Sequence, residues 1–370
     1  MDERDGQGNR DDRAIEQDVE REISLNLKAW ESVDTDDNRQ LKLNEKHFKR
    51  MIWRTRFAVV RSVVATGLLL FFLYSLYMMG VSLTYHGTNG DKKLARYAIT
   101  MTNTHMQGLR ADVSANTWAD ITGWFTQRVD LKLYRTVGDW KVKAGEVKGR
   151  KTLLNGYTYS VVKDSKYIDG NDSFNFVVPP SLLQGNPSAS TAARPSNGVW
   201  EQMAHFPDGY VAEMGFSTRR GMKPEELLAL LEGYDLRLLS MPVYAGEVRE
   251  FRPNFSSSAG GDLNWVEHLT LQPPMKFAND HSVSGYSSSL IRENIAEAQS
   301  GLLDDIEWLL AEGSYWGDDK DALRLDYLKK NGIEVYGAVV TGPVRELEKL
   351  KREEQFYEFK LGQVEIWNWR

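Results

Sequence analysis

Apolar residues are distributed in three ways along this chain. From Phe57 to Leu83 they are almost continuous, from Ala14 to Ser32 they recur every third or fourth position, and beyond about Asp130 they form short alternating runs broken by glycine, proline and asparagine. The first pattern predicts a membrane span. A helix rises about 1.5 Å per residue and the hydrocarbon core is about 30 Å thick, so roughly 20 apolar residues cross it. No formal charge appears between Arg61 and Asp91. The Leu, Phe and Val residues of Val63–Leu83 together favour insertion by roughly 3 to 7 kcal/mol. A buried core helix of a soluble protein would have to hide an unusually long uncharged run. A cleavable signal peptide would have a shorter apolar stretch nearer the start, followed by a small-residue cleavage pattern.

The flanks give the span a direction. Lys42, Lys46, Lys49, Arg50, Arg54, Arg56 and Arg61 precede or enter it against the single acid Glu45, whereas Lys92, Lys93 and Arg96 follow at a distance beside Asp91. The positive-inside rule then puts the N-terminal segment in the cytoplasm and the region after Tyr85 outside. Arg50, Trp53, Arg54, Arg56, Arg61 and Tyr85 are the expected interfacial residues, with Arg61 able to snorkel.

The second pattern places Ile15, Val19, Ile23, Leu27 and Trp30 on one face of a helix over 14–32. A segment of this length cannot bury that stripe in a fold of its own, so the stripe calls for a partner protein, a second copy or the membrane surface. Residues 1–38 carry 13 acids and 5 bases, a net of −8 that anionic lipid repels, which favours a protein partner over a surface helix or a tail.

The third pattern yields the outer region. A helix is expected from Lys92 to Met106. Short strands follow at Asp130–Tyr134, Trp140–Val142, Thr152–Val162 and Phe174–Val178, separated by turn signals at Gly138-Asp139, Lys148-Gly149 and Asp169-Gly170-Asn171. Pro179-Pro180 and the Ser/Ala/Pro/Asn-rich stretch Gly185–Gly198 read as a linker. After it come a strand Tyr210–Phe216, a Pro-initiated helix Pro224–Leu231, a return strand Asp235–Tyr244, and Ser/Gly-rich loops at Ser256–Gly261 and Ser282–Ser289. A long helix follows with Ile291, Ile295, Ala298, Leu302, Ile306 and Leu309 on one face, then a helix Ala322–Lys330 ended by Asn331-Gly332. The close is a strand Ile333–Val340, a turn Thr341-Gly342-Pro343, a helix through Arg352 and a strand Phe356–Trp367.

The expected fold class is α+β on a single-pass anchor: a cytoplasmic segment 1–56, a span 57–84, a β-rich membrane-proximal domain 85–178, a linker 179–200, and a C-terminal domain 201–370 built as a sandwich of split β-α-β units. The strand, Pro-initiated helix and strand around Glu226–Leu230 and Glu346–Leu350 repeat in outline, as duplication or as the ordinary needs of strand-to-helix turns would give.

Composition narrows the chemistry. The chain has 370 residues, 41% hydrophobic, a net charge of −6 and no cysteine. A soluble protein with one anchor fits these values, and disulfides, thiolate metal sites and a cysteine nucleophile are excluded. The net charge gives no nucleic-acid footprint. His205, His268 and His281 form no ligand-spaced pair, and no cofactor or metal is expected. A triad of Ser257, Asp262 and His268 lacks a supporting nucleophile motif. Asp304, Asp305 and Glu307 read as a solvated helix face, and Asp318-Asp319 lacks a calcium-loop pattern. No set of residues points to catalysis.

The run Gly332–Leu350, the closing Leu361–Trp369, Val211–Ser217 with Pro224-Glu-Glu-Leu, and the basic leader Lys49-Arg50 with Trp53-Arg54 before the span resemble the sigma factor regulator family over most of the chain from about Phe48 onward. The resemblance implies a membrane-bound anti-sigma factor for an extracytoplasmic function (ECF) sigma factor in a low-GC Gram-positive bacterium, and no catalytic residue. It implies that the cytoplasmic stripe holds a sigma factor, directly or through a second subunit, while the outer domain reports envelope stress. The chain departs from many anti-sigma factors in lacking their zinc-binding His and Cys-x-x-Cys domain. The alternative is an envelope binding or assembly protein, holding a wall polymer, peptide or lipid, with a passive cytoplasmic tail.

Overall fold

The computed structural model describes residues 21–25, 45–86, 90–113, 120–122, 126–152, 156–164, 174–182, 198–247, 255–257, 264–278 and 282–370. The chain forms two units, 1–77 and 78–370. The first is dominated by helix α1 (Glu45–His86), which continues to the start of the second. Within α1, Met51–Leu83 contains a window of mean hydropathy 2.0, none of which is buried against protein. An uncovered apolar surface of that length fits a membrane-spanning helix.

In the second unit, α2 (Gly90–His105) lies on a first sheet of β1 (Leu109–Ala111), β2 (Asp120–Thr122), β3 (Thr126–Val137), β4 (Trp140–Thr152) and β5 (Tyr157–Lys163). Every pairing is antiparallel, in the order β1-β3-β4-β5 with β2 on the start of β3. Along β3, Val129, Leu131 and Leu133 are buried while Asp130 and Lys132 are exposed, the two-residue period of a strand with one covered face. That face meets Leu94, Ala98 and Met101 of α2 in one core. Gly138 opens the two-residue β3–β4 turn at φ 60, the positive value such loops demand.

Lys148-Gly149, expected as a turn, lies inside β4. A Cβ at Gly149 would come within 2.8 Å of Val129 and 3.3 Å of Ala98, so the glycine serves close approach of the helix to the sheet.

The second sheet has the order β10-β7-β13-β6-β14, again all antiparallel, from β6 (Tyr210–Met222), β7 (Arg237–Tyr244), β10 (Leu269–Leu271), β13 (Glu334–Pro343) and β14 (Phe356–Ile366). Helix α4 (Pro224–Leu231) joins β6 to β7 across β13, and α7 (Val344–Lys349) joins β13 to β14 across β6. One face buries Ala212, Met214, Phe216, Val335, Ala338 and Val340 against the helices. These include α3 (Val199–Ala204), α5 (Ile295–Glu312) and α6 (Asp318–Asn331). Each large aliphatic or aromatic side chain fully buried there contributes about 1.5–3 kcal/mol before entropy is charged against it. β8 (Phe255–Ser257) pairs with β9 (Asn264–Val266), and β11 (Met275–Ala278) with β12 (Ser282–Tyr286); β8 overlaps and β12 lies within the stretches expected as loops.

Residues 174–178, expected as a strand of the membrane-proximal unit, pair with no strand. They lie on the opposite face of the second sheet, where Phe174, Phe176, Val178 and Leu182 pack with Leu239, Tyr336 and Val339. The backbone N–H of Val177 donates to Ser217 Oγ at 2.9 Å. Gly215 and Gly337 make room for the two rings: a Cβ at either would sit 2.6 Å from an atom of Phe174 or Phe176.

Candidate functional site

The residues expected to meet a partner or the membrane are placed unevenly. Ile15, Val19, Leu27 and Trp30 lie outside the described residues. Ile23 is in a short helical stretch over 21–25 and is exposed. Trp53, Arg54, Arg56 and Arg61 are exposed along α1, and Arg50 and Tyr85 fall in the same helix near its two ends.

Within the second unit, buried ion pairs among the described residues lie at two places. On α6 the buried residues include Asp321 and Arg324 among leucines. Arg324 Nε donates to Glu247 at 3.1 Å, its Nη1 to Asp321 at 2.9 Å and its Nη2 to the Glu267 carbonyl at 2.6 Å. Asp321 also accepts from Tyr315 Oη at 2.7 Å and lies 3.0 Å from His105 Nε2, at the end of α2. Burial pushes the Asp321 carboxyl up, but His105, Tyr315 and Arg324 together outweigh it and hold it down at about 2. At Glu247 burial wins over Arg324 and the carboxyl is raised. The second place is the contact of Arg135, on β3, with Glu213, on β6, at 3.1 Å. Burial lifts Glu213 to about 7 against the opposing pull of Arg135.

Two clefts open between elements of this unit. One, of about 380 Å³, is walled by α2, β10–β11 and α5. Arg96 stands in it with its guanidinium 4.2 Å from the Trp308 ring centre and 4.9 Å from that of Phe277. Asp305, expected on a solvated face, lines this cleft half-buried, and burial raises its carboxyl to about 7 with Asp304 adding to the rise. The other cleft, of about 340 Å³, lies between β1, the β3–β4 hairpin, the start of β7 and the end of β12. Its charged lining is Arg110, Asp112, Asp139, Lys141 and Arg237, with Tyr286 as an aromatic wall.

Of the candidate catalytic residues, Ser257 closes β8. His205 is exposed, its Nδ1 2.6 Å from the Glu201 carbonyl. His268 packs edge-on against Phe176 and Tyr336, and burial lowers it to about 4. Asp262 and His281 lie outside the described residues. Asp318 Oδ1 accepts from the Asp319 N–H, and Asp318 Oδ2 accepts from the Tyr315 N–H at the entrance of α6. Thr341 is buried in β13, where its hydroxyl donates to the Ala212 carbonyl at 2.8 Å and accepts from the Gly138 N–H at 2.7 Å. The expected turn Thr341-Gly342-Pro343 is therefore the end of a strand that anchors the β3–β4 hairpin tip. Among the described residues, no cluster of three or more His, Asp or Glu could hold a metal ion.

Comparison with known proteins bears on this arrangement. The family described as sigma factor regulator C-terminal matches residues 203–363, which run from α3 to the middle of β14. A Bacillus subtilis (strain 168) protein described as probable anti-sigma-M factor YhdL is 48% identical over 46 residues, 12% of this chain and 13% of that protein. No solved structure matches. Residues 203–363, which hold most of the second sheet and its helices, are thus similar to the sigma factor regulator C-terminal family.

Proposed function

We propose that the chain is a membrane-anchored regulator that holds an ECF sigma factor at the cytoplasmic side of the membrane, with its outer region registering the state of the envelope. The observation that carries this reading is the sigma factor regulator C-terminal match over 203–363, on a chain whose one helix long and apolar enough to span, among the described residues, precedes that region. The similarity to a probable anti-sigma-M factor supports a sigma factor as partner.

The basic flank Lys49, Arg50, Arg54, Arg56 and Arg61 supports a cytoplasmic N-terminus and an outer region from Tyr85 onward. Ile15, Val19, Ile23, Leu27 and Trp30 are the proposed contact, made with the sigma factor itself or with a second subunit that carries it. The regulator acts by binding, and no catalytic step is needed. In the outer region we read a membrane-proximal domain over 85–178, a linker over 179–200 and a C-terminal domain over 201–370. Each strand-helix-strand segment around α4 and α7 straddles a strand of the other, which supports reading them as interlocked split β-α-β units.

The test uses the full chain in its host with a promoter reporter for the sigma factor that co-purifies with it. Deletion of residues 14–32 is expected to raise reporter output to the level of a null strain while the protein stays in the membrane fraction. Unchanged repression by that deletion would overturn the role of the stripe. Failure of the full chain to retain any sigma factor at the membrane would overturn the regulator reading.

A further inference from the structure

The cleft bounded by Arg110, Lys141 and Tyr286 has a charge arrangement that its own residues do not complete. Arg110 sits on β1, paired across to Tyr134 of β3. Its Nη1 donates to the Ser287 carbonyl at 2.5 Å and its Nη2 to the Pro273 carbonyl at 2.7 Å. Both acceptors are neutral, and the Nε–H is buried with no hydrogen-bond partner. Burial lowers this guanidinium to about 10, and only the Tyr286 hydroxyl pulls it back. Arg135 and Arg324, the buried arginines of this unit among the described residues, each face a carboxylate within 3.1 Å. Arg110, half-buried, forms no ion pair with a described residue.

Lys141, an exposed cation, reaches the same tyrosine. Its ammonium donates to the Tyr286 hydroxyl at 2.9 Å and lies 5.2 Å from the ring centre, while Arg110 lies 6.0 Å from the same ring. The third cation of the lining, Arg237, is neutralised by an ion pair with Asp139 and also donates to the Arg370 carbonyl. Asp112 is the remaining acid of the lining and pairs with neither Arg110 nor Lys141. Among the described residues neither Arg110 nor Lys141 is in an ion pair, and both contact one half-exposed aromatic ring. A cation partly withdrawn from water without a counter-charge, as Arg110 is, carries a desolvation cost, and a ligand anion that enters recovers part of it.

We propose that this cleft binds a phosphate-bearing ligand, its anionic oxygens placed between Arg110 and Lys141 and its organic part against the Tyr286 ring. The guanidinium and ammonium supply charge-assisted donors, which suit a phosphate monoester or diester, and Met275 and Val113 offer an apolar edge for the attached carbon chain. The volume of about 340 Å³ holds one such unit and not a folded domain. The phosphate could be carried by a soluble polyol phosphate or by a lipid headgroup, which share this chemistry. As the ligand class of the outer region, the proposal takes its biological meaning from the regulator reading. Its test is a binding measurement that does not depend on repression.

The full chain is reconstituted in nanodiscs of phosphatidylcholine, and glycerol 3-phosphate is titrated while its ³¹P resonance is followed. Saturable broadening is expected, weakened about tenfold or more by Arg110→Gln and about threefold or more by Lys141→Gln. Lys141 is a surface residue of a hairpin, so its variant keeps the proposal testable if Arg110→Gln unfolds. Tyr286→Phe keeps the ring and is expected to retain binding. A second arm adds phosphatidic acid to the nanodiscs. Loss of the soluble signal that Lys141→Gln prevents identifies the headgroup as a competitor for the same cleft and supports the site. No saturable binding in either arm, or binding that Arg110→Gln and Lys141→Gln leave unchanged, overturns it. Repression lost in the Lys141→Gln strain without any phosphate binding by the parent would leave the regulator reading standing and this one refuted.

Discussion

Arg135 reaches from the first sheet to Glu213 of the second at 3.1 Å, with 7% and 0% of the two residues exposed. This contact ties the two sheets, as the Gly138–Thr341 hydrogen bond does at the hairpin tip. Because burial raises Glu213 to about 7, the folded protein binds its proton more tightly than the unfolded chain does. Stability is then highest below the ordinary glutamate range and falls as pH rises from about 4.5 through 7. Glu213→Gln is expected to flatten that slope, read as urea midpoints of the reconstituted chain at pH 5 and pH 8. An equal slope in the variant would assign it to another group.

Asp321, in the Arg324 centre, predicts the opposite pH behaviour. Asp321 is held at about 2, so its contribution is fully present above about pH 4 and is lost as pH falls through 2. Arg324→Met leaves Glu247 and Asp321 buried without their shared cation and is expected to cost about 3–5 kcal/mol. The double change with Glu247→Gln should recover part of that loss, because one of the two stranded carboxylates is then gone. Chemical denaturation of the parent and the two variants measures both effects.

Gly215 and Phe174 make a size-swap test. A methyl at Gly215 collides with the Phe174 ring, so Gly215→Ala is expected to destabilise by about 1–3 kcal/mol. Adding Phe174→Ala should relieve the collision, so that the pair loses less than the sum of the single changes. Additive losses would mean that residues 174–182 do not rest on this sheet in solution.

The orientation of α1 is checked by charge. Replacing Arg50, Arg54, Arg56 and Arg61 with glutamine removes most of the inner-side excess and is expected to produce a mixed topology. Leu70→Arg should lower insertion efficiency, at about 2.5–3.5 kcal/mol for a central arginine. A reporter fused after residue 370, active only outside the membrane, reads both.

Elements set by local pattern were legible in the sequence. Pro224 at a first helical turn and the apolar sequence after it located α4 to the residue, and the stripe Ile295, Ala298, Leu302, Ile306 and Leu309 is the buried face of α5. Ile291, assigned to that stripe, is exposed because the chain turns before the helix, with the Ile291 N–H on Asn294 Oδ1. Features that depend on distant partners were not legible. Gly149 reads as a turn until Ala98 is known to press on it, and Phe174–Val178 reads as a strand of the nearer sheet until Gly215 and Gly337 are seen to receive its rings. Arg110 is one of many arginines in the sequence. Only the fold shows that its neighbours are carbonyls and that Lys141 stands across the same tyrosine.

Helix α2 begins four residues after α1 ends, a separation of at most roughly 14 Å of extended chain. It is not a linker. Its side chains form the floor of the first sheet, its Arg96 and Asn103 line one cleft, and its last residue touches Asp321. Any substitution that loosens α2 is therefore felt at once by the first sheet, by that cleft and by the Asp321 centre.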